Sequence, residues 1–344
     1  MRETVIKTKK PYRYVLSDTF AGLSEEISGV IKSERIFVVY DKNTKKLFSK
    51  EIRDELCDFS ICEITVPEGE KCKNFSVYKR LIDKLSFSGA DRNSAILAVG
   101  GGAVSDLVGF TAATFMRGIP YIVCPTTILS AIDASVGGKT GVDTLYGKNL
   151  VGAFYSPKLV YVNSACFDFL PQREIESGMG EAVKYAFLDK SVSAEDLTGD
   201  MENLVFLCVE IKNKIVKKDE FEKRPLSGRK LLNLGHTIGH ALEAESGYKL
   251  SHGLCVAYGI KRIIDLSADF YDLDLNVTGE MKSLLNVYPF DFSFEKDVDF
   301  RDVKSRMIFD KKIDGDKISM ILLKGVGAPK IEKVPLAKVW KTIK

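Results

Sequence analysis

Four short apolar runs in the first third of the chain, separated by stretches of helical character, constrain its fold more than any other feature. Residues 35–40 (RIFVVY), 61–66 (ICEITV), 94–99 (SAILAV) and 119–124 (IPYIVC) are rich in branched and aliphatic side chains. Between the first three lie a charged helical stretch over 43–56 and a segment with apolar residues at helical spacing over 75–86. Continuous apolar strands alternating with helices predict a parallel sheet covered on both faces. From about residue 171 the pattern changes to long helical segments, over 173–188, 194–220, 231–246 and 252–271, with a short strand pair near 318–323. The expected architecture is an α/β, Rossmann-like nucleotide-binding domain over residues 1–170. A mostly helical metal- and substrate-binding domain over 171–344 follows it, and the boundary is soft between 160 and 172.

Composition narrows the function classes. Lysine plus arginine (50) nearly balances aspartate plus glutamate (47), a formal charge of +3, which argues against nucleic acid or an anionic membrane as partner. The first residues, MRETVIKTKKPYRYV, are charged throughout and lack the apolar core of a signal peptide. No apolar run reaches the roughly 18 residues a membrane span needs. The seven cysteines are scattered and form no C-x-x-C pair, so reduced thiols and a cytoplasmic location are expected.

Two glycine-rich stretches follow strands. Gly100, Gly101 and Gly102 come directly after the third apolar run and before a helix-compatible segment. Such a turn lets the backbone approach a phosphate, and the next helix offers its first N–H groups. It is not a G-x-G-x-x-G fingerprint, and a tight turn without ligand has the same look. Asp41 and Asn43 follow the first run, and Glu68 and Glu70 the second; acidic groups at the carboxyl ends of parallel strands commonly hold ribose hydroxyls. Together these ends favour a dinucleotide. The second stretch, 125–149, combines Thr126, Thr127 and Asp133 with a Gly137-Gly138-Lys139 loop and a Gly147-Lys148-Asn149 loop. It reads either as a solvated turn or as a floor for an anionic substrate, with lysines as charged donors.

All three histidines, His236, His240 and His252, fall within residues 231–253. His236 and His240 are four apart and share one face of a helix. With Glu181 in the small-residue segment SGMGEAVKYAF, they supply the donor types of an open zinc site. Spacing alone pairs His236 with His240.

The segments GGGAVSDLVGFTAATFMRG (100–118), PTTILSAIDASVGGKTGVD (125–143), GKNLVGAFYSP (147–157), LPQRE (170–174), GMGEAVK (178–184), LNLGHTIGHALE (232–243) and SHGLCVAYG (251–259) resemble 3-dehydroquinate synthase, in that family's order. The resemblance spans roughly residues 36–323. It implies a homodimeric, NAD- and zinc- (or cobalt-) dependent cyclase that converts 3-deoxy-D-arabino-heptulosonate 7-phosphate to 3-dehydroquinate and phosphate. It assigns the metal to Glu181, His236 and His252, and turns His240 towards the substrate phosphate. By the same resemblance Asp133, Lys139, Asn149, Lys184, Lys212, Arg229, Asn233 and one of Lys311 or Lys312 would hold the substrate, with Lys139, Asn149, Lys184 and His240 closest to the chemistry. The resemblance further implies that Arg117 would reach the partner subunit's site and that the dinucleotide would contact Asp41, Asn43, Glu70, Lys73, Gly101, Gly102, Asp106, Thr126 and Thr127. It would also place Asp133, Lys139 and Lys148 near the nicotinamide, with Cys166, Phe167 and Phe169 lining the cofactor. The implied sequence is transient oxidation, phosphate elimination, reduction, ring opening and aldol closure, with no net redox change. Other sugar phosphate cyclases and metal-dependent polyol dehydrogenases are the neighbouring alternatives. Three departures stand out: Asp143 where asparagine is usual, Phe169 where threonine is usual, and a longer loop, FEKRPLSG, before Arg229.

Overall fold

Every strand of the predicted parallel set forms, and their order creates a crevice. The computed structural model describes residues 1–224, 227–308 and 313–343. The chain divides into two units, one comprising Met1–Leu170 with Lys212–Lys217, the other Pro171–Ile211 with Lys218–Lys344. The first contains β1 (Arg2–Ile6), β2 (Tyr12–Ser17), β3 (Arg35–Asp41), β4 (Ser60–Val66), β5 (Ala95–Gly100), β6 (Tyr121–Pro125), β7 (Lys139–Thr144), β8 (Gly147–Phe154) and β9 (Leu159–Asn163). Helices α1 (Leu23–Val30), α2 (Lys42–Glu55), α3 (Phe75–Phe87) and α4 (Gly102–Thr114) accompany them.

The seven-stranded sheet runs β1-β2-β9-β6-β5-β3-β4. β3, β4, β5, β6 and β9 pair in parallel, in the doubly wound order 2-1-3-4-5. In that order the chain leaves β3 towards one edge and β5 towards the other, so the crevice opens between the carboxyl ends of β3 and β5. All six residues of β5 are buried, as are the last six of β3, which is why both read as unbroken apolar runs.

The hairpin β1–β2 was not anticipated: it is antiparallel, and β2 joins β9 in parallel. Its first strand, RETVI, is mostly exposed and gives no buried pattern in the sequence. The expected loops at 137–139 and 147–149 are corrected too. Lys139 opens β7, and Gly147, Lys148 and Asn149 belong to β8, an antiparallel pair with a register shift between Val142 and Thr144.

The second unit holds α5 (Gln172–Leu188), α6 (Ala194–Thr198), α7 (Met201–Lys218), α8 (His236–Glu245), α9 (His252–Tyr271), α10 (Leu275–Leu285), α11 (Phe300–Ile308) and α12 (Leu336–Thr342). Residues 212–217 of α7 group with the first unit. A three-stranded antiparallel sheet joins β10 (Ile313–Asp314), β11 (Lys317–Leu323) and β12 (Pro329–Pro335). The helix expected over 194–220 is two helices, because Ser193 and Asp196 form a capping box for α6 and Gly199 ends it. The helix expected from 231 begins only at His236. Residues Gly228–Asn233 make a 3₁₀ turn, and Gly235 takes φ of +78°, a conformation glycine adopts without strain. Among the described residues no helix is long and apolar enough to cross a membrane.

Helices α5, α8 and α9 pack backbone against backbone. A Cβ on Gly180 would collide with the carbonyl of Gly253, and one on Gly253 with the carbonyl of Ser177. Across the other crossing, a Cβ on Gly235 would stand 2.6 Å from the Val256 carbonyl oxygen, and one on Gly239 2.8 Å from that of Cys255.

Backbone carbonyls cannot rotate away, so Gly180→Ala should destabilise by about 1–3 kcal/mol despite alanine's better helix propensity. Gly29→Ala, in α1 with open space around the new methyl, should instead stabilise by up to about 1 kcal/mol. Urea unfolding of both variants checks the pair; equal effects would refute the crossing argument.

Candidate active-site residues

In the second unit the helix crossings bring four chemistry-bearing side chains together, each beside one of the packing glycines. Glu181 follows Gly180, His236 follows Gly235, His240 follows Gly239, and His252 precedes Gly253. Glu181 is fully buried, and its Oε1 lies 3.5 Å from His236 Nε2 and 3.3 Å from His252 Nε2. Ligand atoms about 2.0–2.1 Å from one ion at tetrahedral angles stand about 3.3–3.4 Å apart. Both carboxylate–imidazole separations therefore match those within one divalent coordination sphere.

The remaining ring nitrogens are fixed. His236 Nδ1 lies 3.0 Å from the Leu234 carbonyl, and His252 Nδ1 lies 3.1 Å from Glu243 Oε2. These partners leave both Nε2 atoms facing Glu181, as histidine ligands require. The second oxygen of Glu181 takes a hydrogen bond from the buried Lys184 ammonium.

The three imidazoles also form a possible donor set, with nitrogens all within 4.8 Å of one another. The Glu181 separations are shorter and match one coordination sphere better, and His240 is exposed. Burial holds His236 well below the usual histidine range, only partly offset by Glu181. Burial acts the same way on His252, but the Glu181 and Glu243 carboxylates, through hydrogen bonding and charge together, outweigh it and raise it to about 9. The arrangement is thus proton-linked: an ion captured there displaces a proton.

Nearby in the chain, Arg229 is buried and donates to the Glu220 carbonyl at 2.7 Å. Asn233 closes the 3₁₀ turn. Lys311 and Lys312 lie outside the described residues.

In the first unit, α4 opens with Gly101 as its N-cap at the carboxyl end of β5. A Cβ on Gly100 would sit 2.8 Å from Val104 Cγ2, so this glycine is needed for packing. At Gly101 and Gly102 a Cβ would meet Thr127 and Ala134 at 3.3 and 3.2 Å, so a side chain there would be a tight fit. The loop and the N-terminus of α4 sit at the crevice where doubly wound sheets bind nucleotides.

Around the crevice the predicted residues divide into engaged pairs. Asp41 is nearly buried and spends Oδ1 on the backbone N–H groups of Asn43 and Thr44 as the cap of α2. Asn43 Nδ2 donates to Glu68, and Lys148 Nζ lies 3.4 Å from Glu70. Lys73 is buried and donates to Asp106 at 2.5 Å. Burial lowers that ammonium, but the charge and hydrogen bond of Asp106, with the charges of Glu70 and Asp143, together outweigh it and hold Lys73 above its usual range. Thr126 is buried, and Thr127 Oγ1 accepts from Ser130 N.

Asp133 rides on a single π-helical turn, Ser130–Ala134, and takes two contacts from the buried Lys212 ammonium, at its side chain and at its carbonyl. Asn149 has φ of +56°, and its N–H donates to Asp143 Oδ1 at 2.8 Å. Asp143 N in turn donates to the Lys73 carbonyl. Lys139 is exposed at the start of β7. Arg117 sits between Met116 and Gly118 in a turn where all three have positive φ, and it projects from the surface. Cys166 and Phe167 are buried, whereas Phe169 is exposed and packs edge-on against Phe48.

Two contributors went unassigned in the sequence. Glu243 stands three residues after His240, one helical turn on, a spacing that marks a shared face. The partnership of Asp143 with Asn149 depends on the β7–β8 hairpin and has no signal in sequence.

Because Lys73 is buried and its partner Asp106 largely so, at 18% side-chain exposure, Lys73→Met should cost about 3 kcal/mol by stranding the carboxylate. Adding Asp106→Leu should recover most of that loss. A double-mutant cycle by chemical denaturation measures it, and strict additivity would refute the coupling.

Residues 63–177 match the family model described as 3-dehydroquinate synthase N-terminal, and residues 178–313 the one described as 3-dehydroquinate synthase C-terminal. A 3-dehydroquinate synthase of Listeria welshimeri is 36% identical over 344 aligned residues, covering 96% of this chain and 92% of the relative. Among solved structures, a 2-deoxy-scyllo-inosose synthase with carbaglucose-6-phosphate, NAD⁺ and Co²⁺ superposes with a TM-score of 0.90 at 24% identity, covering 99% of both chains. A 2-epi-5-epi-valiolone synthase from Streptomyces hygroscopicus, with NAD⁺ and Zn²⁺ bound, gives 0.81 at 19% identity, covering 96% of this chain and 95% of the other. These two likenesses carry the fold, and the sequence matches carry the family: this chain belongs to the 3-dehydroquinate synthase family.

Proposed function

We propose that the protein converts 3-deoxy-D-arabino-heptulosonate 7-phosphate to 3-dehydroquinate and phosphate as a cytoplasmic homodimer. The observation that carries this reading is the Glu181, His236 and His252 donor set, with separations of 3.5 and 3.3 Å, beside a buried Lys184. These three residues would hold Zn²⁺ or Co²⁺. When bound, the ion supplies a Lewis acid for a substrate hydroxyl and for the ketone that replaces it. The crevice between β3 and β5 would hold NAD⁺, a hydride acceptor that is regenerated within each turnover.

The chain's own residues bind and orient the substrate. Lys139, Asn149, Lys184, Lys212, Arg229 and Asn233, with Lys311 or Lys312, supply donors for its carboxylate, hydroxyls and phosphate. Lys184 and Lys212 are each buried against a carboxylate. Such ammonium groups are positioned in advance, which limits the ordering cost when an anion binds. His240, exposed on the same helix as His236, is assigned to the phosphate, where an imidazole can donate to the leaving group. Asp143 holds the backbone of Asn149, and that contact maintains an otherwise uncommon left-handed asparagine. Arg117 is assigned to the partner subunit's phosphate site. A neutral polyol does not need so many cations, so a polyol dehydrogenase explains this inventory less well.

Incubation with the heptulosonate phosphate, NAD⁺ and Zn²⁺ should release phosphate and form dehydroquinate with no net NADH. Steady NADH accumulation on a polyol would overturn the assignment. Chelation should abolish phosphate release, and Zn²⁺ or Co²⁺ should restore it. His240→Ala should slow turnover by about 10²-fold or more yet keep one metal per chain by atomic absorption. Loss of metal from that variant would move His240 into the ligand set.

A further inference from the structure

We propose that Glu243 is a positioning residue that orients His252 as a metal ligand and raises the basicity of its Nε2. The two histidines are held differently. His236 Nδ1 meets a neutral backbone carbonyl at 3.0 Å, whereas His252 Nδ1 meets the Glu243 carboxylate at 3.1 Å. Glu243 lies on α8 and His252 is the first residue of α9, so the contact bridges two helices.

The Glu243 side chain is only 9% exposed. Burying a carboxylate is costly unless it is paired and hydrogen-bonded. A surface residue in its place would avoid that cost, so the position calls for a compensating role. A carboxylate on the far nitrogen of a histidine ligand fixes the ring's tautomer and plane and strengthens it as a donor. The carboxylate of Glu243, the ring of His252 and Oε1 of Glu181 form one chain of contacts at 3.1 and 3.3 Å. Beside this chain of contacts, Gly239 of α8 packs closely against the Cys255 carbonyl of α9.

The inference rests on His252 being a ligand, and it holds whether Glu181 or His240 completes the set. A plain interhelical ion pair would make a different prediction: it would lower the stability of the metal-free fold and leave the metal affinity of folded protein unchanged. Co²⁺ affinity should therefore be measured by chelator competition, alongside the visible Co²⁺ spectrum and the circular dichroism and urea midpoint of metal-free protein. The variants are Glu243→Ala, the near-isosteric Glu243→Gln and, for the ligand assignment, His252→Ala. Folded Glu243→Ala should bind Co²⁺ about 10–100-fold more weakly with a shifted spectrum. Glu243→Gln should lose less, because its amide oxygen can still accept from Nδ1. If Glu243→Ala does not fold, the Glu243→Gln affinity and spectrum decide. Wild-type affinity and spectrum in the folded Glu243 variants, with metal lost from His252→Ala, would overturn this inference alone. Stoichiometric, tight metal in His252→Ala would overturn the ligand assignment and this inference with it.

Discussion

Backbone contact between helices is the constraint on which the second unit depends. At the crossings of α5 with α9 and of α8 with α9, glycines allow a carbonyl of one helix to lie where a side chain would otherwise stand. Helices with ordinary side chains at a contact pack about 8–10 Å apart. Closer approach is what lets short side chains from three helices converge on a point. The residues next to those glycines are Glu181, His236, His240 and His252. The same substitution that provides close packing therefore also aims the donors.

Burying charge is the second recurring device. Lys184 with Glu181, Lys73 with Asp106 and Lys212 with Asp133 are each a buried ammonium held by a carboxylate. Pairs of this kind rarely add much net stability, because desolvation offsets attraction, yet losing one partner is costly. Their value here is positional. A lysine fixed in this way presents its remaining N–H donors in a set direction, which a solvated surface lysine does not. The first unit uses shape for the same end: the strand order opens a crevice at the ends of β3 and β5, lined by a glycine turn and a helix N-terminus.

Much of the fold was legible because the strands are uniform. Strands β3 and β5 are buried on both faces, so each has to be continuously apolar, and short runs of that type are readable. The mostly exposed β1 and the β7–β8 hairpin were not, since half-polar strands owe their identity to the partner across the ladder rather than to their own composition. The helix expected to begin at 231 failed for a local reason: helical spacing continues through Leu231–Leu234, but Gly235 reverses the backbone.

By itself the sequence determined the alternation of strands and helices and the identity of the candidate donor residues. Those properties are local, set by side-chain type and spacing. Only the tertiary structure decided which groups face one another. Spacing on α8 paired His236 with His240; packing of α9 instead sets His252 and His236 against Glu181, and seats Glu243 behind His252. Such pairings join residues 55 and 71 positions apart in the chain, from 181 to 236 and to 252. Periodicity along one helix carries no information about the angle at which a second helix crosses it. The physical reason is that ligand geometry is a property of the crossing, not of either strand of sequence.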